Sequence, residues 1–187
     1  MGYLKYVTDL WRKRAYDTDE FSARIMEWRQ SNATVRVDKP TRIDRARALG
    51  YKAKQGVFMV RQRLIRGGRQ REQMRAGRRS KHNTRRKIVD KSYQTIAEER
   101  VSRAYPNCEV LNSYFLAKDG RYYYFEVILV ERENSRVKSD PQLSWVSRQK
   151  GRAHRGLTAS AKRSRGLLTR KGKGAEKVRP SKEVTGR

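Results

Sequence analysis

Two stretches of this chain cannot build a core of their own. Residues 66–91 and 147–187 contain no Trp, Tyr or Phe, so all three Trp, all ten Tyr and all four Phe lie in the remainder. A segment without large apolar side chains cannot bury enough surface to offset the entropy of ordering its backbone. The same stretches carry most of the excess charge. Residues 61–91 hold 13 Lys/Arg against 2 Asp/Glu, and residues 147–187 hold 14 against 2. Residues 92–146 hold 7 against 8, and residues 1–60 hold 13 against 7, giving the whole chain its net +28. Solvated surfaces mix signs, and a folded domain gains nothing from self-repulsion. Charge segregated in this way implies a polyanion that neutralises it.

The length of 187 residues allows one domain with tails. The organisation expected is a core over 1–146, with N-terminal helices and a basic loop inserted at 66–91, followed by a basic extension over 147–187. A sequence pI near 11.0 fits nucleic acid rather than a membrane. The longest apolar run, Phe125–Val130, is interrupted by Glu126 and too short to span a bilayer. Asp9, Asp17, Asp19 and Glu20 break any signal-peptide pattern, and Tyr6 stands where a myristoylation site wants Ser or Thr. One cysteine, Cys108, excludes an intrachain disulfide framework. These features together predict a soluble, intracellular protein.

Within the core the periodicity is legible. Tyr3, Val7, Leu10 and Trp11 form a helical stripe. A second helix is expected after Asp17, where Asp17 and Glu20 have capping-box spacing, with Phe21, Ile25 and Trp28 as its apolar face. Pro40-Thr41 opens a short helical segment, again with Thr41 and Asp44 at capping-box spacing, and Gly50 stands where a helix C-terminus favours glycine. Val57 to Ile65 reads as a half-buried strand, with Phe58, Val60, Leu64 and Gln62 on one face and a basic outer face carrying Arg61 and Arg63. Periodicity disappears over 66–91. Tyr93, Ile96, Ala97, Val101 and Ala104 then form a helical stripe that stops before Pro106. Val110–Ala117 and Tyr122–Glu131, joined through Asp119-Gly120, carry a strong hairpin signal. The triplet Arg-Gly-Leu occurs at 155–157 and again at 165–167. The fold class implied is α+β, a small antiparallel sheet with helices.

The chemistry on offer is that of phosphate neutralisation. In the loop, Arg66, Arg69, Arg71, Arg75, Arg78, Arg79, Lys81, Arg85, Arg86 and Lys87 are candidate RNA contacts; in the tail, Lys162, Lys171 and Lys173 are. Arginine grips phosphate bidentately and stacks on bases, and interspersed glycines let the backbone approach closely. RNA is favoured over DNA, because no helix-turn-helix or zinc-finger signature offers a major-groove reader and extended basic segments suit structured RNA. Gly67-Gly68 lacks the pattern of a nucleotide-binding loop. Cys108, His82 and His154 stand too far apart to pair as metal ligands. Cys108 reads as a buried, idle thiol. Glu98 and Glu99 diverge on their helix; one is expected to cap or pair with Arg100, Arg103 or a loop arginine. Tyr123, Phe125, Val127 and Leu129 share a core face, which leaves Tyr122 and Tyr124 as candidate base-stacking residues.

Several segments, in order, resemble the large-subunit ribosomal protein fifteen of archaea and eukaryotes, the type unrelated to the bacterial protein of that number. They are Leu49-Gly50-Tyr51-Lys52-Ala53-Lys54-Gln55-Gly56, Ala97-Glu98-Glu99-Arg100, Val110-Leu111-Asn112-Ser113-Tyr114, Phe125-Glu126-Val127-Ile128-Leu129, Arg155-Gly156-Leu157-Thr158 and Ser164-Arg165-Gly166-Leu167. The short ending after Gly172 looks like the archaeal type. The resemblance implies an α+β core with an antiparallel sheet and extensions that thread between ribosomal RNA helices. It implies phosphate contacts at Lys52 and Lys54 and RNA contacts at Arg155, Arg163 and Arg165. No catalytic residues, cofactor or metal transfer with it. The expected role is therefore a non-enzymatic constituent of the large subunit, in the cytoplasm, with ribosomal RNA and neighbouring ribosomal proteins as partners and no membrane or small-molecule substrate. Two rivals from other classes are a DNA-packaging or other generic polyanion-binding protein, and an RNA-processing enzyme. The enzyme would need a carboxylate or metal cluster that the core's acids do not display.

Overall fold

A computed structural model describes residues 2–13, 18–68, 77 and 91–168. In chain order its first elements are α1 (Leu4–Lys13), α2 (Asp19–Gln30), β1 (Thr34–Val37), α3 (Ile43–Ala48) and β2 (Val57–Ile65). Further along the chain come α4 (Tyr93–Ala104), β3 (Cys108–Lys118), β4 (Tyr122–Glu131), α5 (Ser135–Lys138), α6 (Ser144–Ser147) and α7 (Ala159–Ser164). The four strands form one antiparallel sheet in the order β1-β2-β4-β3. The α+β class and the hairpin read from the sequence are both present. The edge strand β1 was not anticipated: at four residues, Thr-Val-Arg-Val, it is too short to stand out from loop sequence.

The sheet is covered on both faces. On one side Val57, Met59, Tyr114, Leu116, Tyr124, Ile128 and Val130 pack with Trp11, Phe21, Trp28 and Ala46 of the N-terminal helices and with Val137 and Val146. On the other, Phe58, Val60, Leu64, Val110, Phe125, Val127 and Leu129 pack with Ala97 and Val101 of α4 and with Ala153. Two expectations are corrected by this double cover. Strand β2 is not half-buried: Val57 through Val60 are all buried, and the guanidinium groups of Arg61 and Arg63 lie 4.8 and 4.7 Å from the rings of Trp28 and Tyr122. Tyr124 is not available to stack a base; it is fully buried against Trp28 at 5.4 Å. Tyr122 is half-buried beneath Arg63.

The helix starts also differ in detail. Thr18 caps α2, accepting from the Phe21 amide at 3.3 Å. Thr41 does not cap α3. Its hydroxyl donates to the buried Glu126 at 2.5 Å, and Asp44 accepts from Arg42 at 2.9 Å and Thr8 at 3.2 Å. A buried carboxylate needs donors more than a helix of six residues needs a cap. On α1, Trp11 is buried and Val7 packs on the core, while Tyr3, Tyr6 and Leu10 are exposed.

Packing continues past residue 147. Arg152, Ala153, Thr158, Ser160 and Ala161 are all buried, so the chain remains part of the folded body to the end of α7. The reason lies in β3, whose register slips between Val110 and Asn112 and again between Phe115 and Ala117. A bulge removes carbonyls from the ladder. The Arg152 guanidinium occupies the first one, donating to the carbonyls of Val110 and of Leu111, the latter at 2.8 Å.

Candidate nucleic-acid interface

Every acidic residue between 92 and 146 is engaged within the chain. Glu98 accepts from the hydroxyls of Ser113, Thr158 and Ser160, the last two at 2.5 Å. Glu109 accepts from the amides of Gly151 at 2.7 Å and Arg152 at 3.2 Å. Glu126 accepts from Tyr114 and from the amide and hydroxyl of Thr41. Glu99 pairs with Lys91 at 2.7 Å, Glu133 with Lys138 at 2.8 Å, and Glu131 accepts from Asn134 at 3.1 Å. Asp119 accepts from Arg29 at 2.9 Å, Tyr124 at 3.0 Å and the amides of Arg121 and Tyr122 at 2.7 and 2.6 Å. Asp140 takes both Lys52, at 3.1 Å, and Lys54.

Burial pushes the Glu98 and Glu126 carboxyls up, and their hydroxyl donors only partly reverse it. Burial also raises Asp119, but the bonds from Arg29 and from the Tyr122 and Arg121 amides outweigh it and hold the carboxyl at about 2. Hydrogen bonds from Lys54, the Gln142 amide and Lys52 keep Asp140 well below the usual carboxylate range. Burial, with Glu131 nearby, lifts the Cys108 thiol to about 11, as suits an idle buried cysteine. His154 is exposed. No cluster of three or more His, Cys, Asp or Glu that could hold a metal occurs among the described residues, and no described helix is long and apolar enough to cross a membrane. Glu98 and Glu99 took partners other than the arginines expected: the buried Glu98 collects hydroxyls and the half-buried Glu99 a lysine.

The described cationic residues singled out from the sequence divide into three groups. Lys52 and Lys54 come together on the single carboxylate of Asp140, an arrangement of two positive charges on one negative. Arg66 lies at the root of the basic loop, its guanidinium 5.2 Å from the Tyr123 ring and donating to the Asp119 carbonyl at 2.9 Å. Arg155, Lys162, Arg163 and Arg165 cluster around α7. Arg69, Arg71, Arg75, Arg78, Arg79, Lys81, Arg85, Arg86, Lys87, Lys171 and Lys173 lie outside the described residues.

Around α7 the repeated Arg-Gly-Leu triplet becomes a repeated turn. The Gly156 amide donates to Ala153 at 3.2 Å and the Leu157 amide to Arg152 at 2.9 Å. The Gly166 amide donates to Arg163 at 2.9 Å and the Leu167 amide to Lys162 at 3.0 Å. Both glycines have positive φ, 72° and 73°. This is the same hydrogen-bonded turn twice, the second copy closing α7, and it needs glycine at the left-handed position. The copies also meet: a Cβ added to Gly156 would stand 2.7 Å from Arg165 Nη1. Arg155 donates to the Lys150 carbonyl at 3.0 Å and to Gln149 at 3.1 Å. Arg155 and Arg165 are thus partly folded back on the body, whereas Lys162 and Arg163 are exposed and make no ion pair among the described residues.

Sequence reading missed the residues that gather the loop root and α7 together, namely Gly67, Ser92, Tyr93 and Ser164. Tyr93 shows in the sequence only as one member of an apolar helical stripe. Nothing local signals that its hydroxyl meets a residue 26 positions earlier.

Comparison with known proteins identifies the family. The family described as Ribosomal L15 matches residues 2–185. The large ribosomal subunit protein eL15 of Methanocella arvoryzae is 46% identical over 181 residues, covering 94% of this chain and 92% of the relative. That of Methanocorpusculum labreanum is 48% identical over 179 residues, with the same shares of 94% and 92%. That of Picrophilus torridus is 50% identical over 168 residues, covering 88% and 86%. A match that runs through body, basic loop and tail alike leaves one assignment: the chain belongs to the Ribosomal L15 family, as an archaeal-type member.

Proposed function

We propose that this protein is a structural constituent of the large ribosomal subunit, in the cytoplasm, and that it holds folded ribosomal RNA through its basic loop and tail. The observation that carries the reading is the internal use of acid. The eight carboxylates of residues 92–146 all have partners inside the chain, and the 27 Lys/Arg of residues 61–91 and 147–187 have only 4 Asp/Glu among them. Phosphates supply the missing counter-charge and release condensed ions on contact. The names of the relatives point to the same assembly.

The body's part is to fix where the basic segments leave it. Lys162 and Arg163 act as direct phosphate contacts. Lys52 and Lys54 keep Asp140 and offer their surplus positive charge to a phosphate passing that corner. Arg155 and Arg165 shape the two turns and present the remaining edges of their guanidinium groups. Neighbouring ribosomal proteins complete the surroundings, and the protein itself performs no chemistry on the RNA.

The test is sedimentation of a native lysate through a high-salt gradient with this protein tagged. Migration with the large subunit, through a wash that strips loosely held basic proteins, is the result expected. Recovery at the top of the gradient, or with chromatin, would overturn the reading.

A further inference from the structure

Gly67, just after β2, and Tyr93, at the start of α4, are tied by one hydroxyl. Tyr93 Oη accepts from the Gly67 amide at 2.8 Å and donates to the Gly67 carbonyl at 2.9 Å. On the incoming side, the Arg66 amide donates to the Arg121 carbonyl at 2.9 Å, and the Arg66 guanidinium donates to the Asp119 carbonyl at 2.9 Å and lies over Tyr123. On the outgoing side, the Ser92 amide donates to Ser164 Oγ at 2.9 Å, at the end of α7. The chain Gly67–Tyr93–Ser92–Ser164 therefore joins the roots of the basic loop to the helix that carries Lys162 and Arg163.

The hydroxyl of Tyr93 is separable from the packing role of its ring. The ring stacks on Tyr123, with centroids 4.6 Å apart and planes at 29°, and phenylalanine would do this equally well. The two hydrogen bonds to Gly67 are exposed, where exchange with water leaves each a small net contribution to stability. Gly67 has φ +105° with nothing within 4 Å of an added Cβ, so glycine is needed there for the backbone conformation and not for room. What such a bidentate contact does is hold direction.

We propose that Tyr93 is a positioning residue for RNA binding: its hydroxyl clamps the root of the basic loop, so that Arg66 and the α7 cations Lys162 and Arg163 address one stretch of RNA backbone. The inference rests on the RNA-binding reading above. A loop root that is already directed loses less freedom on binding, and two basic segments held side by side act on one site at high effective concentration.

The experiment uses the full chain and deproteinised large-subunit ribosomal RNA, with affinity measured across a salt series. Tyr93→Phe should bind about three- to tenfold more weakly, the value of one to two net hydrogen bonds. Its log–log salt slope should match the parent's, because no cation is removed. Its thermal midpoint should stay within about 2 °C of the parent's. Gly67→Ala, which keeps the hydroxyl but strains the backbone, should weaken binding in the same direction. The double variant should be no weaker than the worse single one, because both changes break one device. A Tyr93→Phe protein that binds as tightly as the parent overturns the clamp and leaves the RNA reading standing. A loss of affinity accompanied by a large drop in thermal midpoint also overturns it, since Tyr93 is then only structural. A parent that fails to bind this RNA overturns the RNA reading and the clamp together.

Discussion

Asp119 shows how much a single side chain settles here. It sits in the hairpin turn predicted from Asp-Gly, and its carboxylate takes the amides of Arg121 and Tyr122, the Tyr124 hydroxyl and Arg29. The turn was legible locally, because aspartate bonds its own downstream amides. The reach to Arg29 on α2, 90 residues away, was not. The folded carboxyl titrates at about 2, against roughly 3.9 in an unfolded chain. Between about pH 4 and pH 2 the unfolded state therefore binds more protons, so stability is full above this window and falls as pH falls through it. Asp119→Asn should be less stable at neutral pH and show a shallower fall of thermal midpoint over that window, measured by thermal melts at stepped pH. An unchanged profile would mean that Asp119 carries no linkage.

Among elements, β3 is where the sequence reading gave way. An apolar run beside the Asp-Gly turn marked it as a strand, but Leu111 and Leu116 each shift the register by a residue, and an apolar run carries no sign of a bulge inside it. The carbonyls released at the first shift are met by Arg152, from a segment whose composition places it with the basic tail. Arg152 is therefore a core residue by location, and burial, against the opposing pull of Glu98, depresses its pKa. Arg152→Ala strands the Val110 and Leu111 carbonyls and removes the guanidinium lying 4.9 Å from the Trp145 ring. A loss of about 2–4 kcal/mol is expected, the cost of leaving buried acceptors unmet. Urea unfolding should show a lower midpoint at unchanged slope, and a variant as stable as the parent would show that water serves those carbonyls equally well.

For the whole molecule the governing quantity is net charge and where it is left uncompensated. If about eight phosphates are neutralised on binding RNA, the log–log dependence of affinity on salt has a slope of roughly −6 to −7. Replacing Lys162 and Arg163 together by Gln should make that slope shallower by about 1.5, at 0.7–0.9 per contact. A slope near zero for the parent would sink the electrostatic mechanism. An unchanged slope in the double variant would move the contacts away from α7.

The sequence by itself determined what depends on near neighbours and on composition. The charge segregation, the helix of Tyr93–Ala104, the strand of Val57–Ile65 and the Asp-Gly hairpin are set by propensity, spacing and turn chemistry within a few residues. Only the tertiary structure decided which surfaces stay open. Alternation cannot distinguish a solvent face from a second core face when the alternating residues are Tyr, Arg and Gln, whose rings, stems and amides bury readily against a covering layer. Tyr124 is buried because Trp28 reaches it, Arg152 because β3 is bulged, and the loop root meets α7 because Tyr93 and Ser92 each find a partner far away in the chain. Contacts of that kind depend on how the two covering layers dock on the sheet, which no local window of sequence encodes.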